Sequence, residues 1–361
     1  MELAEGQGPV AAQQLPKRLV ADYGFWSRFQ EPPYGSTQIP FQKLTHLIHA
    51  GVGVGAQLDG TLDVPAAFLE PDLISKGHAA GVKVMLAFGG DGATFRAVAG
   101  NPAIREILVG NLAAFIKANG YDGIDIDWEF PSAPVDSQPF FELISALRRV
   151  LPTPNYLISV DVAPWGGDGY NFGSVVPIVD FLNIMMYDCA GPWTRHGHLN
   201  SPVFWDPADP APDECQPGGS ANDAANIYLN DLHVPADKLN MGTPFYGYFY
   251  QNVSHLFGGC RNCGKTVLSE NYGTFIKSHL AQGKWRAFRD PVSLVPYMLR
   301  ADGRPGFITY DDPASTYARV SYSLWTRGLG GSFMWSLDAD YDGHSQDLLD
   351  AMYSATLQPP Q

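Results

Sequence analysis

Three acidic side chains alternate with large apolar ones in the segment 121–131, which has the sequence YDGIDIDWEFP. Asp125, Asp127 and Glu129 lie two residues apart, with isoleucine or tryptophan between them. A period of two is that of a β-strand, so the three carboxyl groups share one face of it. Calcium-binding loops also alternate acidic residues, but polar residues or glycine stand between them. The apolar intervening residues therefore favour a strand over a calcium loop.

The spacing of these carboxyl groups indicates general acid chemistry. Residues two apart on a strand have Cα atoms roughly 6.5–7 Å apart, and like charges at that distance oppose joint ionisation. At least one group should therefore hold a proton near neutral pH, as a general acid must. Glu129, the outermost and longest, is the predicted acid. Asp127 would modulate it, and Asp125 would share a proton or hydrogen bond with Asp127.

The elements that must position this strand appear as eight short runs of β-branched and aromatic residues, mostly separated by amphipathic helical segments. Several runs are almost continuously apolar, as expected for parallel strands covered on both faces. The eight predicted strands are Arg18–Tyr23, Leu44–Val52, Val82–Phe88, Gly123–Trp128, Tyr156–Val162, Phe181–Tyr187, Leu239–Phe245 and Gly331–Leu337. Eight strand–helix units predict an α/β fold, a (β/α)8 TIM barrel. A doubly wound sheet is the alternative, but Gly51–Gly55 has the wrong spacing for its phosphate loop.

In such a barrel one face of each strand meets the helices and the other meets the barrel interior. A solvated strand face is therefore not available to explain the three acidic residues. Carboxyl groups aimed inward near the carboxyl end of a strand are costly unless they perform chemistry. The barrel prediction and the general acid prediction therefore support each other.

One connection is longer than a strand–helix unit requires. About ninety residues separate the seventh predicted strand from the eighth. We therefore predict a small insertion over residues 249–307, between strands 7 and 8, with aromatic residues available for a core of its own. Residues 15–248 and 308–357 are assigned to the catalytic barrel.

The composition limits the classes of partner. The chain has 37 acidic against 23 basic side chains, a net charge of −14, which opposes binding to nucleic acid or to an anionic membrane surface. A run of about 18 apolar residues, which a membrane span would need, is absent from the sequence. A neutral polysaccharide would not be repelled, and we expect a monomer. Residues 1–9 have neither the basic nor the apolar region of a signal peptide, so none is predicted in this chain. The trimmed start of a mature secreted chain is an equally open interpretation of this segment.

The four cysteines leave several possibilities open. Cys260 and Cys263 form a lone C-R-N-C, and a zinc site would need two further ligands where only His255 is near. A local disulfide is expected there if the protein is exported, and free thiols if it is not. Cys189 and Cys215 could form a second bridge.

The segment His196–His198 has the H-x-H pattern of a metal-binding pair. It lies in a predicted loop without other ligands nearby in the sequence, so we expect these histidines to be exposed to solvent. The pattern alone therefore does not predict a metal site at these two histidines.

The segment Asp122–Glu129 resembles a known family. Its sequence DGIDIDWE matches the signature D-G-x-D-x-D-W-E of the family 18 glycoside hydrolases, which include the chitinases, at every fixed position. The similarity continues near the ends of other predicted strands, at Ala87–Gly90, Met185–Asp188, Gly191–Trp193, Gly242–Gly247 and Gly328–Trp335. The insertion over 249–307 resembles the α+β insertion domain that lines the substrate groove in one chitinase subfamily.

The resemblance implies a retaining mechanism in which the acetamido group of the substrate attacks the anomeric carbon. Glu129 would protonate the leaving oxygen. Asp127, supported by Asp125, would bind the acetamido N–H, and Tyr187 would bind the acetamido oxygen. Asp188 would contact the distorted sugar.

The resemblance also implies a set of substrate-binding residues. Trp335 would form a floor beneath the cleaved sugar, and Trp193 a stacking platform on the leaving-group side. Tyr23, at the end of the first strand, would support the carboxyl groups. Trp128 and Trp165 are expected to be packing residues only. The further candidates for substrate binding are Met185, Tyr246 and Phe88.

The implied substrate is chitin or chito-oligosaccharides, cleaved at β-1,4 linkages between N-acetylglucosamine units without a metal or cofactor. Chitin degraders are usually exported, so the resemblance favours an extracellular, secreted protein. One alternative is a chitin-binding lectin on the same barrel, although such lectins typically lose the glutamate found here as Glu129. Another is an endo-β-N-acetylglucosaminidase that cleaves N-glycan cores.

Two positions depart from the family pattern. Ala87 stands where the third-strand motif has a serine that commonly bonds the inner aspartate, so proton sharing between Asp125 and Asp127 is expected to differ. Tyr248 replaces an arginine that often follows the seventh-strand motif, which puts one substrate or carboxylate contact in doubt. We expect activity to survive these changes with a shifted pH profile.

Overall fold

A computed structural model describes residues 15–215 and 217–360 of the chain. Residues 1–9, the segment without a predicted signal peptide, lie outside the described residues. Within the described ranges, none of the helices combines the length and apolar character needed to cross a membrane.

Eight parallel strands close into a barrel in which each strand is hydrogen-bonded to two neighbours. They are β1 (Arg18–Gly24), β2 (His46–Val54), β4 (Lys83–Asp91), β5 (Gly123–Glu129), β6 (Leu157–Val162), β7 (Phe181–Ile184), β8 (Leu239–Pro244) and β14 (Gly331–Trp335), while the short β3 (Leu62–Asp63) pairs antiparallel with β2. The predicted TIM barrel is confirmed. Strand bounds differ from the prediction by at most three residues, as at β7, which ends at Ile184 rather than at Tyr187.

Helices follow most of the barrel strands. They are α1 (Leu73–Ala79), α2 (Gly92–Ala99), α3 (Pro102–Asn119), α4 (Ser137–Val150), α5 (Phe172–Val175), α6 (Ala221–Asn226), α7 (Cys263–Thr266), α8 (Lys277–Ala281), α9 (Pro313–Ser321) and α10 (Asp347–Leu357). The sequence explains the ends of α3. The side chain of Asn101 accepts hydrogen bonds from the first backbone N–H groups, and Gly120 ends the helix with a φ of +80°, a conformation that glycine adopts at low cost.

A second sheet lies between β8 and β14 in the chain. It is antiparallel, with the order β10-β9-β13-β12-β11, and consists of β9 (Tyr246–Tyr250), β10 (Val267–Asn271), β11 (Trp285–Arg289), β12 (Pro296–Arg300) and β13 (Phe307–Thr309). Only Phe245 separates the barrel strand β8 from β9. The first residues of this sheet are therefore held at the mouth of the barrel. The division at 249–307 stays a prediction.

The strands separate two apolar layers. The inner cluster, inside the barrel, consists of Val20, Ile48, Ala50, Met85, Ala87, Phe181, Met185 and Phe333. The outer layer, between strands and helices, contains Ile124, Ile126 and Trp128 of β5. Because side chains alternate along a strand, the acidic residues of β5 face inward, as the period of two predicts.

Candidate active site

The carboxyl groups of β5 form a line from the barrel interior to its mouth. Asp125 is fully buried, Asp127 is half-buried, and Glu129 is exposed at the carboxyl end of the strand. Active sites of TIM barrels are built at that end of the strands. The line therefore leads from the core to the surface where a substrate can bind.

The two strands that flank β5 determine the partners of Asp125. Ser159 on β6 and Ala87 on β4 are both in register with it. The Ser159 hydroxyl donates to Asp125 Oδ1, as does Asn183 Nδ2 at 3.3 Å. Burial raises the pKa of Asp125 to about 6, and these hydrogen bonds oppose the shift. The hydroxyl that Ala87 lacks is therefore supplied from the strand on the opposite side.

The pKa values of the other two carboxyl groups of the line are also raised. Burial, followed by the charges of Glu129 and Asp125, raises the pKa of Asp127 well above its usual range. Glu129 is open to solvent on one side, but partial burial against the groove wall and the charge of Asp188 raise its pKa. A carboxyl group that keeps its proton beside a groove can deliver it to a bound ligand.

Asp188 lies beyond the end of β7, where its backbone has an unusual conformation and its carboxyl group is hydrogen-bonded by two tyrosines. Its φ is +65°, a left-handed conformation that residues other than glycine adopt rarely. Its N–H donates to Asn200 Oδ1 at 2.9 Å. The hydroxyls of Tyr246 and Tyr248 both donate to Asp188 Oδ1, at 2.5 and 2.7 Å. Tyr248, which replaces the arginine of the family pattern, therefore gives this carboxyl group a neutral hydrogen-bond donor instead of a cation.

A groove of about 530 Å³ opens beside this cluster. Trp193 and Trp165 both line it, with 57% and 44% of their surface exposed. The expectation that Trp165 is only a packing residue is wrong, because its indole faces the groove. Trp128, by contrast, is fully buried, as expected. The other predicted site residues in the lining are Glu129, Met185, Tyr187 and Asp188.

Trp335 lies where the barrel meets the second sheet. It packs against both the inner cluster and the apolar cluster of the second sheet, to which Tyr246 belongs. Its ring centroid is 6.3 Å from that of Trp26, a residue that sequence reasoning missed. Tyr187 also contacts both clusters, and its ring lies 6.1 Å from that of Tyr246. The structure therefore brings Trp335, Tyr187 and Tyr246 together.

Two predicted residues lie away from the groove, which corrects their proposed roles. Tyr23 is fully buried in the outer layer, and its hydroxyl donates to Glu70 Oε2 at 2.8 Å. Phe88 is also fully buried in that layer and packs edge-on against Phe95. Neighbouring residues on a strand face opposite sides. The inward residues are Asp22 on β1 and Ala87 on β4.

Two carboxyl groups of the barrel interior were not predicted from the sequence. Asp22 and Asp161 are 2% and 7% exposed, and Asp161 Oδ1 accepts from Asn183 Nδ2 at 2.9 Å. The signal that could have identified Asp22 is a lone acidic residue inside an otherwise apolar predicted strand. Such a residue is buried on either face and needs a reason to be there.

All four cysteines form disulfides, Cys189 with Cys215 and Cys260 with Cys263. Of the possibilities left open by the sequence, the local bridge and the second bridge are the ones found. The zinc alternative at Cys260 is excluded, because both of its thiolates are consumed. The Cys189 bridge begins one residue after Asp188 and so anchors the groove wall.

The expectation that His196 and His198 are solvent-exposed is wrong for His198. His198 is fully buried, with Nδ1 2.7 Å from Asp209 Oδ2 and Nε2 2.9 Å from Glu214 Oε2. His196, His198 and Glu214 place possible metal ligands within 4.8 Å of one another. The Arg195 backbone and guanidinium N–H groups also donate to Glu214. Side chains of this chain therefore already satisfy the Glu214 carboxylate.

Comparison with known proteins places these features in a family. The family model described as glycosyl hydrolases family 18 matches residues 20–340. Chitinase 1 of Aphanocladium album is 30% identical over 275 residues, which cover 73% of this chain and 63% of that protein. Chitinase A1 of Niallia circulans is 29% identical over 286 residues, which cover 71% of this chain and 40% of that protein. The chain thus spans less than two thirds of the length of these relatives.

Solved structures share the fold. The Group IV chitinase of Ostrinia furnacalis in complex with allosamidin has a TM-score of 0.81 at 24% identity, covering 94% of this chain and 98% of that one. A chitinase from Bacillus thuringiensis has a TM-score of 0.79 at 22% identity, covering 96% and 70% of the two chains. At these identities the likeness establishes the barrel architecture.

Proposed function

The chain belongs to the glycosyl hydrolases of family 18, and we propose that it hydrolyses β-1,4 linkages between N-acetylglucosamine units of chitin or chito-oligosaccharides. The observation that carries this proposal is the line from Asp125 through Asp127 to Glu129, which ends in a groove with exposed indoles. A protonated carboxyl group suits cleavage of a glycosidic bond. Aromatic rings suit a neutral substrate with apolar faces. The relatives that are named chitinases agree with this substrate.

The proposed reaction has two steps, and both use Glu129. In the first, Glu129 gives its proton to the leaving oxygen, while the acetamido carbonyl oxygen of the substrate bonds to the anomeric carbon and the glycosidic bond breaks. The product is a cyclic oxazolinium ion. In the second, water attacks the anomeric carbon, the ring opens to restore the acetamido group, and the Glu129 carboxylate takes the proton of the water. The anomeric configuration is retained.

The surrounding side chains have positioning and charge-stabilising roles in this proposal. Asp127 accepts a hydrogen bond from the acetamido N–H and stabilises the positive charge of the intermediate. Tyr187 donates to the acetamido oxygen and holds it for attack, a proximity effect that can lower the barrier substantially. Asp188, kept in place by Tyr246 and Tyr248, contacts the sugar. Trp335 lies beneath it.

The same geometry argues against the two alternative functions, a chitin-binding lectin and an enzyme that cleaves N-glycan cores. A lectin would bind without hydrolysis, and the intact Glu129 at the mouth of the barrel favours an enzyme. An enzyme of N-glycan cores would need to accommodate a branched glycan. The two indoles of Trp193 and Trp165 along one groove favour a linear chain of sugars.

We extend the proposal to organisation and location. Residues 15–248 and 308–357 would form the catalytic barrel, and residues 249–307 an insertion that lines the groove. The two disulfides support secretion, since such bonds persist in oxidising compartments. The protein would act as a monomer on a polysaccharide.

Hydrolysis of chitin oligosaccharides by the wild type and by Glu129→Gln tests the function. The amide keeps the shape of the side chain but cannot donate an acidic proton, so kcat should fall by about 10²–10⁴-fold with little change in binding. Equal activity of the two proteins would refute the assigned role. Binding without hydrolysis by the wild type would favour the lectin, and cleavage of N-glycan cores alone would favour the endoglycosidase.

A further inference from the structure

Asp161 on β6 adds a further carboxyl group to the barrel interior. Two residues before it, the Ser159 hydroxyl donates to Asp125, whereas Val160 and Val162 pack in the outer layer. Because side chains alternate along a strand, Asp161 also faces inward, and it is 7% exposed. The titratable groups that act on Asp161, or on which it acts, are Asp22, Asp125, Asp127, Tyr170 and Tyr187. No cation is among them, so these surroundings oppose its ionisation.

The carboxyl groups of Asp161 and Asp125 are hydrogen-bonded to each other. An ionised carboxyl group only accepts hydrogen bonds, whereas a protonated one also donates. Two carboxyl groups can therefore form a hydrogen bond only when one of them keeps a proton. Without that proton, the contact would bring two negative charges together in a buried site, which is strongly unfavourable. The pair therefore shares one proton and carries one negative charge.

A chain of hydrogen bonds with fixed directions ends at this pair. Arg18 Nε, which can only donate, donates to Asn240 Oδ1 at 2.9 Å. Asn240 Nδ2 therefore donates to Asn183 Oδ1 at 2.8 Å. Asn183 Nδ2 in turn donates to Asp125 Oδ1 at 3.3 Å and to Asp161 Oδ1 at 2.9 Å. Both amide protons of Asn183 are thus used, one on each carboxyl group, and neither supplies the hydrogen bond between the two.

The remaining contacts decide which carboxyl group keeps the proton. Asp125 Oδ1 accepts from the Ser159 hydroxyl as well as from Asn183, and hydrogen bonds of this kind favour the charged form. Among the described side chains that can only donate, Asn183 alone donates to Asp161. Burial, followed by the charge of Asp125, raises the pKa of Asp161 well above its usual range, whereas that of Asp125 rises only to about 6. The proton therefore belongs to Asp161 and the negative charge to Asp125.

We propose that Asp161 keeps its proton in the working enzyme and is a positioning residue, whose O–H donates to Asp125 and holds it ionised beside Asp127. The inference rests on the proposed function of this site. Ala87, in register with Asp125 on β4, offers only a methyl group. The O–H donors of Asp125 then both come from β6, on the other side of β5.

Two substitutions separate the proton of Asp161 from its charge. Asp161→Asn is neutral, has nearly the same shape and can donate to Asp125 while it accepts from Asn183. The acidic limb of its kcat/KM profile, which we assign to the ionisation of Asp125, should therefore coincide with that of the wild type. Asp161→Leu is neutral and of similar size but has no donor, so the pKa of Asp125 should rise further. Its acidic limb should move up by about one pH unit, and kcat/KM below the limb should fall about tenfold.

Two results would overturn the proposal. If Asp161 is ionised in the working enzyme, Asp161→Asn removes a negative charge, and the acidic limb moves to lower pH by about one unit or more. If the limb of Asp161→Leu coincides with that of the wild type, the side chain has no positioning role towards Asp125. A merely structural role gives this second result, because it lowers kcat/KM by the same factor at every pH.

Infrared spectroscopy detects the proton directly and does not depend on the folding of Asp161→Leu. Near neutral pH, the difference spectrum of wild type minus Asp161→Asn should contain a protonated-carboxyl band. Absence of that band would contradict the proposal. Because this measurement needs no substrate, failure of the proposed chitinase function and failure of the Asp161 assignment can be distinguished.

Discussion

The pKa of Glu129 depends on the charge of another carboxyl group in the same groove. Partial burial, followed by the charge of Asp188, raises the pKa of Glu129. Burial raises the pKa of Asp188 itself, and the hydrogen bonds that it accepts from Tyr246 and Tyr248 oppose that rise by favouring the ionised form. The tyrosines therefore act on the general acid indirectly, through the charge that they help to maintain.

Substitution Asp188→Asn should make Glu129 more acidic. Removing the neighbouring charge lowers the pKa of Glu129, which then loses its proton at lower pH. The alkaline limb of the kcat/KM profile should move to lower pH by up to about one unit. Asp213→Asn is a matched control, because Asp213 is a highly exposed residue paired with Arg195. An unmoved limb in Asp188→Asn, or an equal shift in the control, would contradict this explanation.

At the scale of elements, the long connection between β7 and α6 is fixed to the site by a covalent and an ionic link. The bridge between Cys189 and Cys215 starts next to Asp188. His198 joins Asp209 to Glu214 in the same connection. Glu214 and Cys215 line the groove, so both links should affect the groove wall as well as stability.

Replacing both Cys189 and Cys215 by serine should lower the free energy of unfolding and the activity together. The bridge closes a separation of 26 residues, for which loop entropy predicts a loss of about 3.5 kcal/mol. Chemical denaturation and oligosaccharide kinetics measure the two effects. The matched control is the double serine variant of Cys260 and Cys263, a bridge over a separation of only 3 residues, which should cost less. A larger loss in the control would argue against this prediction.

The His198 cluster should stabilise the protein within a limited pH window. Burial disfavours the charged imidazole, but Asp209 and Glu214 outweigh it and raise the pKa of His198. Burial also opposes the charge of Glu214, yet its hydrogen bonds from Arg195 and the histidines lower its pKa to about 2. The histidine contribution is complete below the ordinary histidine pKa and is lost as pH rises through the raised value. The glutamate contribution is complete above its ordinary pKa and is lost as pH falls towards 2.

Substitution His198→Gln tests this window. The difference in free energy of unfolding between wild type and variant should be largest between about pH 4.5 and 6.5. It should decline on both sides of that range. Urea denaturation at a series of pH values measures it. A difference that is constant with pH would mean that His198 contributes by packing alone.

At the scale of the whole molecule, the net charge of −14 should act on charged substrates at a distance. Partially deacetylated chitin carries free amino groups that are cationic at mildly acidic pH. Its KM should rise as salt is increased from ~0.01 M to ~1 M, because the ions screen the attraction. The KM of a fully acetylated, neutral oligosaccharide is the control and should stay nearly constant. Equal salt dependence of the two substrates would rule out long-range attraction.

The sequence by itself determined the features that depend on short-range periodicity. The alternation around Asp125, Asp127 and Glu129 identified a strand and its chemically active face, because a period of two is a local property of the backbone. The eight apolar runs identified the barrel for the same reason. The ends of α3 are set by local capping at Asn101 and Gly120. These features need no knowledge of which distant segments meet.

Only the tertiary structure decided the features that depend on distant neighbours. From Leu19 to Tyr23, Asp22 is the one charged residue of β1, so the pattern did not show that Tyr23 faces outward and Asp22 inward. Closure of the barrel sets those faces. The exposure of Trp165, the burial of His198 and the cysteine pairing likewise depend on loops that fold over one another. The hydroxyl donor to Asp125 comes from Ser159, on a strand that is adjacent in the sheet but distant in sequence. Sequence patterns report which face of a strand a residue shares with its near neighbours, whereas packing determines what that face meets.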